Sequence, residues 1–308
     1  MLNVYFLIIF YFFVSSCSNN NNNKLNNYHQ LKTQKYIVYN SFPSEYVSPR
    51  DIEVWLPADY DNYKSFPVLY MFDGQNIFHG KQGWNNNQYN HGWQVDETLD
   101  SLFMAEKVPP MIVVGIFNTG IKRASEYMPA QPREEIEKRI PEAVSWVREG
   151  YQKYGITSDD FLKFLVKELK PFIDKNYKTQ ERQSSTYLAG SSMGGLISAY
   201  AICEYPNTFG SVACFSTHWT ALNGVFIEYL KNNIPNPSNH KFYFDYGTLG
   251  LDSQYETYQI KVDSLMIAKG YEKNKSWLTK KFEGHGHNEK FWRSRFHYPF
   301  EFFFNSQE

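Results

Sequence analysis

Cysteine is scarce in this 308-residue chain: Cys17, Cys203 and Cys214 are the only three. Two cysteines after residue 17 make no disulfide framework, so Cys203 and Cys214 are expected to be free thiols buried as small hydrophobes. Blocks of like charge are also missing. The net charge is −1 and the basic pairs Lys122-Arg123 and Lys280-Lys281 are short, which excludes an electrostatic footprint for nucleic acid. The uninterrupted apolar run over residues 4–14 falls short of the about 20 residues needed to span a bilayer. No internal repeat is found. His285 and His287 stand as a His-x-His pair, but no third ligand accompanies them at helical or hairpin spacing, so neither a metal nor another cofactor is expected.

What is present begins with a leader. The run at 4–14 has the length of a signal-peptide core, and Val14-Ser15-Ser16-Cys17 resembles a lipobox in which Cys17 would carry lipid. An ordinary cleaved signal and an uncleaved anchor are the alternatives, since residues 1–3 carry no Lys or Arg. The Asn-rich stretch Asn19–Asn27 reads as a polar tether, giving a leader at 1–17, a tether at 18–30 and one domain over 31–308. The expected location is therefore the cell envelope, with the membrane engaged only through the anchor. Aromatic residues reach 18%, but Asn and Lys are abundant too, so this is read as composition rather than as a binding surface.

From residue 31 the pattern turns globular. Lys35–Asn40 and Ile52–Leu56 read as antiparallel edge strands. Pro67–Phe72 and Met111–Phe117 are apolar throughout, as strands covered on both faces must be. Val95–Lys107 and Thr157–Asn176 read as helices. In the second, Thr157 and Asp160 resemble a capping box, and Pro171 should bend the helix. Alternating strands and helices give an α/β fold, a doubly wound and mostly parallel sheet.

The chemistry is written after the run Ser185–Ala189. Gly190-Ser191-Ser192-Met193-Gly194 is a G-x-S-x-G elbow between strand and helix, where a tight turn raises the serine hydroxyl above the sheet. Such an elbow requires an acid and then a histidine, each beyond a later strand. After Lys241–Tyr246 comes Asp252, and after Ser276–Phe282 comes His287, so the order is met. Ser192 is the candidate nucleophile, His287 the base and Asp252 the acid. His285 is a competitor for the base, and Asp245, inside its strand, is read as structural. His218 and Trp219 either line the pocket or close the top of the sheet. The segments His79–Trp93 and Glu126–Gly155, with Trp84 and Trp93 as exposed aromatics, are candidates for a substrate-facing cover or for surface decoration.

With these residues assembled, the chain resembles the esterase family of the α/β-hydrolases that includes S-formylglutathione hydrolases, feruloyl and acetylxylan esterases, trilactone siderophore esterases and mycolyltransferases. The resemblance spans roughly residues 34–305. It rests on Val68-Leu-Tyr-Met-Phe-Asp-Gly-Gln-Asn-Ile-Phe78, Trp93-Gln-Val-Asp-Glu-Thr-Leu99 and Pro110-Met-Ile-Val-Val-Gly-Ile116. Further blocks are 164–174, Ala189-Gly-Ser-Ser-Met-Gly-Gly195, 243–248 and His287-Asn-Glu-Lys-Phe-Trp292. The resemblance implies an α/β-hydrolase fold, no cofactor, and a small-molecule or oligosaccharide ester as the partner. It also implies an oxyanion hole from the backbone N–H groups of Gln75 and Met193. Trp93, His218 and Trp219 are the candidates for the substrate pocket. Many relatives carry the carboxylate where this chain has Leu249 and Gly250, so a Ser–His dyad stays open beside the triad. A trilactone siderophore esterase, an acyltransferase and a silent glycan-binding lipoprotein are the alternatives to an esterase of carbohydrate or phenolic esters.

Overall fold

The computed structural model describes residues 30–32, 36–58, 60–62, 65–78 and 92–305. The leader, Cys17, Asn19–Asn27 and Trp84 lie outside the described residues, as does the His79–Trp93 loop apart from Gly92 and Trp93.

Nine described strands form one sheet: β1 (Gln30–Lys32), β2 (Tyr36–Phe42), β3 (Arg50–Trp55), β4 (Val68–Phe72), β5 (Ile112–Ile116), β6 (Thr186–Ser191), β7 (Ser211–Phe215), β8 (Lys241–Gly247) and β9 (Trp277–Phe282). Their order is β1-β2-β3-β5-β4-β6-β7-β8-β9. β5, β4, β6, β7, β8 and β9 run parallel, while β1, β2 and β3 are antiparallel additions. The two N-terminal strands are thus antiparallel as expected, but they are not edges. β1 pairs outside β2, and β3 joins β5.

The apolar runs explain the layering. Every residue of β4, β5, β6 and β7 is buried. Alternate side chains supply two separate cores. Val68, Tyr70, Phe72, Leu188 and Val212 face one, with Leu69, Met71, Ala189 and Phe215 in the other. The first core is closed by α5 (Ser158–Lys163), α6 (Lys170–Asn176), α7 (Met193–Glu204), α8 (Val225–Asn233) and α9 (Glu256–Ala268). The second is closed by α1 (Val95–Met104), α10 (Glu289–Arg295) and α11 (His297–Phe304).

The expected helix over Thr157–Asn176 is continuous but not uniform. Phe164–Leu169 forms a π-helical stretch between α5 and α6. Pro171 lacks an N–H and crowds the preceding turn, and widening that turn accommodates it. The capping box does not form. Thr157 makes no side-chain cap, and Asp160 instead pairs with Lys163 at 2.8 Å.

The chain runs from β4 outward to β5, then returns across β4 to β6. The order therefore reverses between β4 and β6, and their carboxyl ends flank a crevice where ligands of open α/β sheets bind. Between β5 and α5 lie α2 (Arg123–Tyr127), α3 (Arg133–Arg139) and α4 (Ser145–Tyr154). Arg50 of β3 reaches this segment through two buried hydrogen bonds to Glu126, at 2.7 and 3.0 Å, with its guanidinium over Phe161 and Phe164.

Candidate active site

Ser192 sits between β6 and α7 with φ 57° and ψ −123°, a region that costs a non-glycine residue energy and persists only where packing imposes it. Its backbone is clamped. Its N–H donates to Phe215 O at 2.9 Å, and its carbonyl accepts from His218 N–H at 3.1 Å. The two glycines of the elbow differ in necessity. A Cβ on Gly190 would lie 2.5 Å from the Gly194 carbonyl oxygen, whereas one on Gly194 would meet the tip of Asp73 at 3.3 Å. The Ser192 hydroxyl has no hydrogen-bond partner among the described residues and lines a cavity of about 1150 Å3.

His287 lines the same cavity, while His285 does not; the His285 ring packs between Phe282 and Phe291. His287 Nδ1 lies 2.6 Å from Asp252 Oδ1, which leaves Nε2 as the nitrogen available to the cavity. Asn288 explains the spacing of the block that follows. Its side chain caps α10 by accepting from Phe291 N–H at 3.3 Å, and the first turn then brings Trp292 edge-on to the His287 ring at 4.9 Å.

Asp252 is completely buried. Burial pushes its pKa up, but hydrogen bonds from His287, Ser216 and the Gly247 N–H, with the nearby imidazole charge, outweigh that and hold it below the ordinary carboxylate value. Beneath it lies a network that the sequence did not announce. Ser216 Oγ touches Asp252 Oδ2 at 2.5 Å, Trp292 Nε1 at 2.9 Å and an Arg295 guanidinium nitrogen at 2.5 Å. Arg295, also fully buried, reaches Asp245 at 3.1 Å through Nε. Asp245 additionally accepts from Tyr243 OH and from the Ser216 N–H, and it does not line the cavity. Its pKa is pushed up to about 6, chiefly by burial, with Arg295 pulling against it. The one available signal was the spacing of Trp292 and Arg295, one turn apart on the helix that follows His287.

The remaining candidates divide. His218 lines the cavity and bonds Tyr255 OH through Nδ1 at 2.8 Å; burial, with the nearby His287 and Arg123 charges, lowers its pKa to about 4. Trp219 is not a pocket residue. It is 1% exposed, bonds Gln259 through Nε1 at 2.8 Å and stacks on Phe226 in the core, because the chain turns inward after His218. Trp93 does line the cavity, but as a buried ring stacked on Trp292 at 5.4 Å, not as an exposed platform. Met193, at the start of α7 where helix N–H groups lack partners, lines the cavity. Gln75 does not; its neighbours Asp73 and Asn76 do, while its side chain accepts from Asn118 N–H at 3.2 Å. Asp73 is held by Arg123 at 2.6 and 2.7 Å and by Asn118 at 2.7 Å.

The segment between β5 and α5 contributes Ile121, Ala124, Val144, Val147, Tyr151 and Tyr154 to the cavity wall. Glu126–Gly155 is thus cover rather than decoration.

A doubly wound sheet with a serine on a strained elbow at its switch point, and a histidine–carboxylate pair beside it, defines the α/β-hydrolase class. Within that class the chain belongs to the family described as "Putative esterase", whose model matches residues 44–297. It is 25% identical over 186 residues to Uncharacterized protein YbbA of Bacillus subtilis. It is 26% identical over 204 residues to an endo-1,4-beta-xylanase/feruloyl esterase of Xylanibacter ruminicola. These matches take in 59% and 62% of this chain, but span only 63% and 21% of the relatives' own lengths. Among solved structures, a ferulic acid esterase superposes with a TM-score of 0.61 at 17% identity, covering 88% of this chain and 98% of its own. An enterobactin esterase from Shigella flexneri gives 0.63 at 19%, covering 87% and 58%. The BES protein from Bacillus cereus gives 0.64 at 17%, covering 90% and 98%.

Proposed function

We propose that this protein hydrolyses carboxylic esters through an acyl-enzyme on Ser192. The observation that carries the reading is the opening of Ser192 and the Asp252-bound His287 onto one cavity. With the His287 Nδ1–H given to Asp252, Nε2 is the basic nitrogen. It takes the Ser192 proton as Oγ bonds to the ester carbonyl carbon. The hydroxyl–imidazole contact closes with substrate bound, as such contacts commonly tighten only in the complex. The developing oxyanion is met by the Met193 N–H and by the turn that follows β4, through Gln75 or a neighbouring N–H. His287 then protonates the leaving alcohol, and water repeats the sequence on the acyl group. The Asp252 contact supports a triad over a dyad.

The substrate is an ester of a carbohydrate or a phenolic acid. A cavity of about 1150 Å3 with an aliphatic and tyrosine-bearing wall suits an aromatic or otherwise bulky apolar group. Charge favours a neutral ester over a ferric catecholate trilactone. Among the lining residues Asp73, Glu142, Glu149 and Glu289 outnumber Arg123, Arg139 and Lys153, and both arginines are already paired with acids. Export of the chain and lipidation at Cys17 complete the reading, since such esters are met outside the cytoplasm.

The test is active-site labelling combined with kinetics. A fluorophosphonate probe should mark wild type, and p-nitrophenyl acetate should give a burst. Ser192→Ala should abolish both and lower kcat by on the order of 10⁶. A wild type that neither reacts with the probe nor cleaves any of a panel of acetylated and feruloylated oligosaccharides would refute it.

A further inference from the structure

The buried side of Asp252 carries a second assignment. A serine hydroxyl has one proton to give and two lone pairs to receive with. Trp292 Nε1 and the Arg295 guanidinium can only donate, and they occupy both acceptor positions of Ser216 Oγ, at 2.9 and 2.5 Å. The remaining contact, to Asp252 Oδ2 at 2.5 Å, must then use the hydroxyl proton. No other arrangement of hydrogens satisfies all three contacts. The Ser216 main chain is held just as firmly. Its N–H donates to Asp245 Oδ1 at 3.1 Å, and its φ of 40° lies in the left-handed region.

Resting on the esterase reading above, we propose that Ser216 is a positioning residue: filled by Arg295 and Trp292, it is obliged to donate to Asp252 Oδ2, and so turns Oδ1 toward His287. Ser216 touches no substrate and acts through Asp252. With the Gly247 N–H at 2.8 Å on the same oxygen, it fixes the carboxylate plane, leaving Oδ1 for the imidazole alone. Arg295 serves both acids, at 3.1 Å from Asp245 and 3.7 Å from Asp252. Rotation of the fully buried Asp252 carboxylate would forfeit these contacts. The groups facing His287 are Asp252 from the loop after β8, Tyr255 and His218 beside the ring, and Trp292 from α10. Of these, only Asp252 can hold the Nδ1 proton.

The test uses the full-length protein with Ser216→Gly, which removes the hydroxyl and at the same time relieves the left-handed backbone. Ser216→Ala serves as a second variant with the strain retained. Three readouts are taken: steady-state kinetics on p-nitrophenyl acetate, thermal unfolding, and the far-downfield proton NMR signal of the His287 Nδ1–H. Both variants should lower kcat about ten- to a hundredfold with KM changed less than twofold. The downfield signal should weaken or move, while Ser216→Gly should unfold no more readily than Ser216→Ala. A folded Ser216→Gly with wild-type kcat and an unmoved proton signal would overturn the assignment and leave the esterase reading intact. A loss confined to KM would overturn it as well. Failure of the esterase reading would show differently, as an unlabelled wild type.

Discussion

His218 is a neutral side chain beside His287, the ring that carries a transient positive charge in the mechanism proposed above. Held at a pKa of about 4 by burial, it adds no opposing charge near neutrality. The same depression has a thermodynamic sign. Between about pH 6.5 and 4 the unfolded chain binds a proton at this imidazole and the folded chain does not, so stability falls as pH falls through that window. The loss is on the order of 3 kcal/mol. Urea midpoints measured across that range should show a flatter acid dependence for His218→Gln than for wild type; parallel curves would argue against the buried neutral state. At this scale the meeting of Ser192, Asp252 and His287 at one place was legible, because it depends on their order along the chain after successive strands. Ser216 and Arg295 were not, because a buried serine and arginine acquire meaning only from which oxygen each one meets. Trp219 marks the limit of reading by proximity: one residue along the turn from His218 separates a cavity wall from the core.

At the scale of the element, the elbow depends on one absent methyl group more than on the other. Gly190→Ala should cost about 1–3 kcal/mol of stability and lower kcat, because its Cβ drives against a carbonyl fixed at the start of α7. Gly194→Ala, meeting a carboxylate tip at 3.3 Å and the Phe72 Cβ at an ordinary 3.6 Å, should cost less. Chemical denaturation of the two variants side by side decides the matter, and equal losses would contradict this account. The strands were readable for a simple reason: runs without polar interruptions leave no face for water, so β4 to β7 had to be central. The helix over Thr157–Asn176 was readable in extent, but not in its widened middle turn or its uncapped start. Hydrophobic spacing tolerates a π-turn, and a capping pattern does not guarantee that the side chain turns back.

At the scale of the whole molecule, the sheet and the crevice followed from strand order, whereas the buried guanidinium of Arg50 joining the cover to β3 had no trace in the pattern. The proposed anchor also belongs here, because it concerns where the catalytic body is held. Cys17→Ser should abolish incorporation of labelled fatty acid and shift the protein from the detergent to the aqueous phase on phase separation. A wild type that takes up no lipid would remove the anchor while leaving the catalytic proposal untouched.

Much of the cavity wall comes from one unbroken stretch of chain between β5 and α5, while Ser192, Asp252 and His287 stand on the loops that follow β6, β8 and β9. On the function proposed above, chemistry and much of the selectivity would occupy separate cassettes of sequence. Exchanging residues 120–154 between homologues should transplant a preference for one ester over another, so that a single recombination event would change what such a cavity accepts.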